Sequence, residues 1–171
     1  PLTIDGTIFA RTSEDGKNVT VVVVPLRAFG VKYVAMWQNE TVVTLKVGEE
    51  AWANVYYGVM YDANTPTQTY DPSGKQFDTF VGFNFTGGKA VNGTYTEADL
   101  ITGAALAISN SNGDESLDAA EKGFLIVTLE LANAAPVRTQ VSVEVRLEKT
   151  APLSIEFTIP ESMPPGTYVP V

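Results

Sequence analysis

A β-sandwich is the fold this sequence predicts, on three observations. Valine and threonine account for 21 and 19 of the 171 residues, and β-branched side chains suit a pleated, half-buried surface. Apolar residues recur with period two over several segments, as they do in strands with one covered face. Three successive segments of this kind lie near the C-terminus. Each needs a second sheet to cover its apolar face, and two packed sheets make a sandwich.

Taken in order, strands are predicted over residues 2–10 and 18–25, joined as a hairpin by the polar turn Glu14, Asp15, Gly16, Lys17. Further strands are expected over 41–47, 52–61 and 77–85. Residues 64–74 are dense in turn formers and read as a long irregular loop. The stretch 96–108 is the one with helical character, weakened by Gly103. Alternation is clearest at the end of the chain. Leu125, Val127, Leu129 and Leu131 share one face; Val141, Val143, Val145 and Leu147 share another. Leu153, Ile155, Phe157 and Ile159 alternate with Ser154, Glu156 and Thr158. One sandwich over residues 1–160, followed by an extended proline-rich tail over 161–171, is the predicted organisation.

Composition narrows the function. Charged residues are 18 % of the chain, below the roughly 25 % of ordinary soluble domains. Net charge is −9, and the 11 Lys and Arg are scattered. That leaves no basic footprint for nucleic acid and disfavours anionic lipid. Cysteine and histidine are both absent, which removes disulfides, thiolate nucleophiles, the commonest metal ligand and the commonest general base. The carboxylate pairs Glu14/Asp15, Glu49/Glu50, Asp114/Glu115 and Asp118/Glu121 offer no acid set apart from a base by its environment. No catalytic residue and no organic cofactor are assigned, and the chain is not expected to be an enzyme. The longest apolar run, residues 19–26, is interrupted by Thr20 and Pro25 and too short to cross a bilayer. Because the first residue is Pro1, the chain is expected to have been cut from a longer one.

Three patterns stand out as candidate sites. Asn110, Asn112, Asp114, Ser116, Asp118 and Glu121 place oxygen ligands at positions 1, 3, 5, 7, 9 and 12 of a loop, with Leu117 at position 8. That spacing wraps Ca²⁺, with Glu121 placed for bidentate contact, in a structural role. Position 6 departs from the pattern, being Glu115 where glycine is wanted, and the same residue types also build metal-free turns. If metal binds, Glu121→Ala is expected to destabilise only the calcium-loaded protein. The second pattern is Asn-x-Ser/Thr at Asn18, Asn39, Asn84 and Asn92, acceptor sites for N-glycan. The third is a run of aromatics from Tyr33 to Phe85, such as a sugar-binding face or a subunit contact would use. Most are expected in the core, but Tyr56 and Tyr57 cannot both point inward on one regular strand.

The final third of the chain resembles the archaellins, the subunits of the archaeal swimming filament. The resemblance is carried by residues 112–122 (NGDESLDAAEK), the strand 124–131 (FLIVTLEL), residues 141–148, and above all 151–160 (APLSIEFTIP). It implies an Ig-like antiparallel β-sandwich on the outside of an extracellular filament at the archaeal cell surface. It also implies an N-terminal hydrophobic helix, absent here, through which alone the protein would meet a membrane. The full-length form would be a homopolymer and this truncated domain a monomer. Related roles implied are a stator-like anchor gripping a surface-layer protein, and an adhesion pilin recognising a surface or sugar.

Overall fold

The computed structural model describes residues 1–171. Its first half contains β1 (Leu2–Ile4), β2 (Phe9–Thr12), β3 (Asn18–Ala28), β4 (Tyr33–Ala35), β5 (Thr41–Val47), β6 (Glu50–Trp52), β7 (Tyr56–Val59), β8 (Asn84–Thr86) and β9 (Lys89–Val91). The second half contains β10 (Gly103–Ser109), β11 (Ser116–Asp118), β12 (Lys122–Thr128), β13 (Ala135–Pro136), β14 (Gln140–Leu147), β15 (Leu153–Thr158) and β16 (Tyr168–Pro170). The larger sheet runs β16-β2-β3-β12-β10-β7, with β1 and β13 also paired to β3. The smaller runs β15-β14-β5-β6, and two short ribbons, β4–β11 and β8–β9, complete the set. No helix is long and apolar enough to cross a membrane.

The main core lies between the two sheets. Val22, Val24, Leu106, Leu125 and Val127 meet Val43, Leu45, Val141, Val143, Val145 and Ile155 there. The alternation at 141–147 and 153–159 is thus that of strands with one face on the core and one in water. The predicted hairpin joins β2 and β3, and 41–47 is β5 as expected.

β3 has a second covered face. Val21 and Val23, with Ala105, Ala107 and Ile126, sit beneath a separate apolar cluster of Met60, Tyr70, Phe80, Val81, Phe83, Ala90 and Leu100. The chain between β7 and β10 therefore folds over the larger sheet as a third layer. This explains the unbroken valines of β3, since a strand buried on both faces carries a continuous apolar run.

Four expectations need correction. The segment 77–85 is not a strand: Phe77–Thr79 forms a 3-10 turn and only Asn84–Thr86 is extended. Phe77, Phe80 and Phe83 recur every third residue, a spacing that suits turns and not a pleat. The segment 96–108 is not a helix: a 3-10 turn at Glu97–Asp99 leads into β10. Alanine's helical preference is overridden because β10 is a central strand whose small side chains leave room for the aromatic layer above. At Gly103 a Cβ would lie 2.3 Å from the Tyr57 ring. The predicted single strands over 2–10 and 52–61 are each two, β1 and β2, and β6 and β7. Finally, one strand pair is not antiparallel: β7 and β10 run parallel, which the long crossover between them allows.

The tail after 160 is extended only in β16; residues 161–167 bend and turn, and the tail docks. β16 pairs with β2, Tyr168 opposite Arg11 and Pro170 opposite Phe9. Met163 is buried.

Candidate functional site

The acidic loop follows β10 and leads through β11 to β12. One carboxylate oxygen from each of Asp114, Asp118 and Glu121 lies within 4.8 Å of the other two. Glu121 is buried and accepts two backbone N–H groups, from Asn112 on Oε2 at 2.9 Å and from Asp118 on Oε1 at 2.8 Å. Asn112 donates its Nδ2–H to Asp118 Oδ2 at 2.8 Å and accepts the Asp114 amide on Oδ1 at 3.2 Å. Four of the six ligands expected from spacing are therefore gathered. The other two are not. Asn110, at φ 59°, turns toward Asp71 and Ser73. Ser116 enters β11 opposite Ala35. Three carboxylates with an amide beside them form a hard oxygen set suited to Ca²⁺. Its core is tripartite and narrower than the sequence spacing implied.

Glu115, the residue out of pattern at position 6, serves a different site. Its Oε2 accepts the Tyr61 hydroxyl at 2.8 Å. Burial and then this carboxylate raise the Tyr61 hydroxyl to about 12. Tyr61 and Glu115 line a cleft of about 690 Å³ with Trp37, Asn54, Tyr57 and Lys89. Tyr56, by contrast, is buried and donates its hydroxyl to the Met36 carbonyl at 2.7 Å. Tyr57 points to the opposite face, where it is half-buried against the second apolar cluster and also borders the cleft.

The four sequons differ sharply. At Asn18 and Asn39 the hydroxyl residues, Thr20 and Thr41, are fully buried. Thr20 is further engaged by the Tyr95 hydroxyl at 3.0 Å. Asn92 accepts the Ala63 amide on Oδ1 at 2.7 Å. Asn84 stands with Phe85 and Thr86 on an exposed strand of the β8–β9 ribbon.

One buried charge escaped the sequence reading. Arg11 sits under the third layer, donating from Nε to Asp78 Oδ1 at 3.0 Å and from Nη1 to the Thr12 carbonyl at 2.8 Å. The Tyr95 ring lies 3.6 Å from its guanidinium carbon. Asp78 also accepts the Tyr168 hydroxyl at 2.6 Å. Burial works against the Asp78 carboxylate, but bonds from Arg11 and Tyr168 outweigh it and hold its pKa below the ordinary value. Burial, then Asp78, pushes the Tyr168 hydroxyl far up. These residues lie 67 and 90 positions apart in the chain. The only local hint was a charge inside a strand otherwise facing apolar layers.

The fold is a two-sheet sandwich with an acidic loop between β10 and β12. Comparison with known proteins finds likeness to archaeal flagellins. No protein-family model matches the chain. "Probable flagellin 1" of Aeropyrum pernix is 27 % identical over 169 residues, spanning 98 % of this chain and 71 % of that protein. Archaeal flagellin FlaB1 from Methanocaldococcus jannaschii superposes with a TM-score of 0.65 at 12 % identity, over 99 % of this chain and 94 % of that one. The archaeal flagellum of Methanospirillum hungatei strain JF1 superposes with a TM-score of 0.53 at 8 % identity, over 96 % and 68 %.

Proposed function

We propose that the chain is the outer domain of a subunit of an archaeal motility filament, displayed outside the cell and acting without catalysis. The observation that carries this is the end-to-end likeness to an archaeal flagellin in sequence, 98 % of the chain aligned, on a fold shared with flagellin FlaB1. The physical character agrees. Filament duty asks for a domain that resists unfolding and proteolysis under shear, with contacts repeated along a helix. Here both faces of the larger sheet are covered.

Two accessory features belong to this reading. The acidic loop is a structural Ca²⁺ site held by Asp114, Asp118 and Glu121, with Asn112 beside them. Asn84 is the glycan-bearing asparagine, because it alone combines an exposed asparagine with an exposed, uncommitted threonine two residues on. The isolated domain is a monomer.

Gold-labelled antibody against this domain, with a gene deletion alongside, tests the main proposal. Label along extracellular filaments, and loss of those filaments and of swimming on deletion, is the expected result. Label confined to the cell body, with filaments intact in the deletion strain, would overturn it.

A further inference from the structure

We propose that the cleft beside β7 binds a neutral saccharide. At about 690 Å³ it falls within the ~300–1,000 Å³ of small-molecule sites. Its floor is a bulge: Tyr56 and Val59 pair with Ala104 and Leu106, so β7 uses one residue more than β10 over the same step. Gly58 supplies the irregular backbone at φ 94°, and a Cβ there would meet Gln38 at 3.3 Å. Bulges re-aim side chains. This one lies where Tyr57 leaves the core side that Tyr56 occupies.

Two of the aromatic walls are held before any ligand arrives. Tyr57 stacks on Phe85, ring centres 4.7 Å apart and planes at 30°. Tyr61 is fixed by its bond to Glu115 and by Lys89 Nζ, 4.3 Å from its ring centre. Trp37, on the turn between β4 and β5, is 45 % exposed. Rings already in place lose little entropy on binding. The polar groups are placed too. Asn54 accepts the amides of Val43 and Tyr56 on Oδ1, each at 3.1 Å, which orients its carboxamide and leaves the NH₂ as a donor. Glu115 offers Oε1 as an acceptor beside the oxygen that Tyr61 uses.

This combination selects the ligand. A pyranose has a face of C–H groups and an edge of hydroxyls; aromatic rings take the first, and amide and carboxylate take the second. An apolar peptide in the same place would leave Asn54 and Glu115 desolvated and unpaired. Lys89 and Glu115 cancel in charge, and the chain's net −9 repels polyanionic glycans. A neutral sugar remains. It comes either from the surroundings or from a glycan on the chain's own Asn84, which stands next to Phe85.

The test is a titration of the unglycosylated 171-residue chain with neutral trisaccharides of mannose, glucose and N-acetylglucosamine, followed by amide and indole NMR shifts. The expected result is saturable shifts centred on Trp37, Asn54 and Gly58 with a Kd on the order of 1 mM. Trp37→Ala should weaken binding about tenfold with no change in melting temperature; Trp37→Gln serves as a second variant with the same expectation. No saturable shift with any of the three, or undiminished binding in both variants, would overturn the proposal. Protein made in a glycosylating archaeal host separates the sources. Binding recovered by Asn84→Gln identifies the chain's own glycan as occupant, and equal binding with and without that change identifies an external saccharide. Filament assembly plays no part in these measurements, so they stand or fall apart from the motility reading.

Discussion

Arg11 and Asp78 show how one ion pair joins three separate stretches of chain: β2 carries the guanidinium, the third layer carries the carboxylate, and Tyr168 of β16, beside β2, donates to it. Arg11 has 6 % of its side chain exposed and Asp78 47 %, so water screens one end. Asp78→Asn should therefore cost only about 1 kcal/mol at neutral pH. Since the folded protein holds the Asp78 pKa below its ordinary value, this stabilisation is present above the ordinary carboxylate range of about 4. It is lost as pH falls through the depressed folded value. Thermal melts of the two proteins should differ at neutral pH and converge in acid once the pH lies below the depressed folded value. A gap of unchanged size in acid would rule out the ionic account.

Glu121 carries a second expectation at this scale. Because its two oxygens accept the Asn112 and Asp118 amides, Glu121→Ala should destabilise the calcium-free protein too, by about 1–3 kcal/mol for the groups left unpaired. Spacing alone had predicted no effect without metal; the two amide bonds change that. If the loop binds Ca²⁺, the loss should be larger in calcium than in chelator, because the ligand stabilises only the folded state. Equal melting shifts in the two buffers would remove calcium from the account.

At the scale of elements, β3 is the decisive strand. In a two-layer sandwich Val23 would face water and tolerate threonine, whereas here Val22 and Val23 are both 1 % exposed. Val22→Thr and Val23→Thr should each cost about 1–3 kcal/mol in chemical denaturation. A neutral Val23→Thr would mean that the third layer does not pack as described. The tail is the other element with a testable role. Ending the chain after Pro160 uncovers the edge of β2 and removes the contact of Tyr168 with Phe77, whose ring centres lie 5.3 Å apart. This should cost roughly 3 kcal/mol from lost apolar burial. The bared edge should also promote association, seen as concentration-dependent sedimentation. An unchanged melting temperature would show that the tail only lies alongside.

For the whole molecule, legibility followed the range of the interactions. The strands 41–47, 140–147 and 153–158 were readable because each has one wet face, so period two is written locally. The valines of β3 and the alanines of β10 were harder. Their second face is covered by residues 60–100, and burial on both sides erases alternation. The acidic loop was legible as a set of ligands but not as a geometry, since Asn110 is drawn away by Asp71 and Ser73, nearly forty positions earlier. The aromatic cleft was legible as a run of rings from Tyr33 to Phe85 but not as a cavity. Its walls come from four separate stretches of chain that only the fold brings together.

By itself the sequence determined the β-sandwich class, the C-terminal strands, the absence of thiol and imidazole chemistry, the acidic surface and the resemblance to archaellins. Each of these is a property of composition or of neighbours along the chain. Only the tertiary structure decided the third layer, the docked tail, the Arg11–Asp78–Tyr168 clasp, which sequon is open and where the cleft lies. These depend on contacts between residues distant in sequence, and packing, not local preference, selects among the conformations that such segments can adopt.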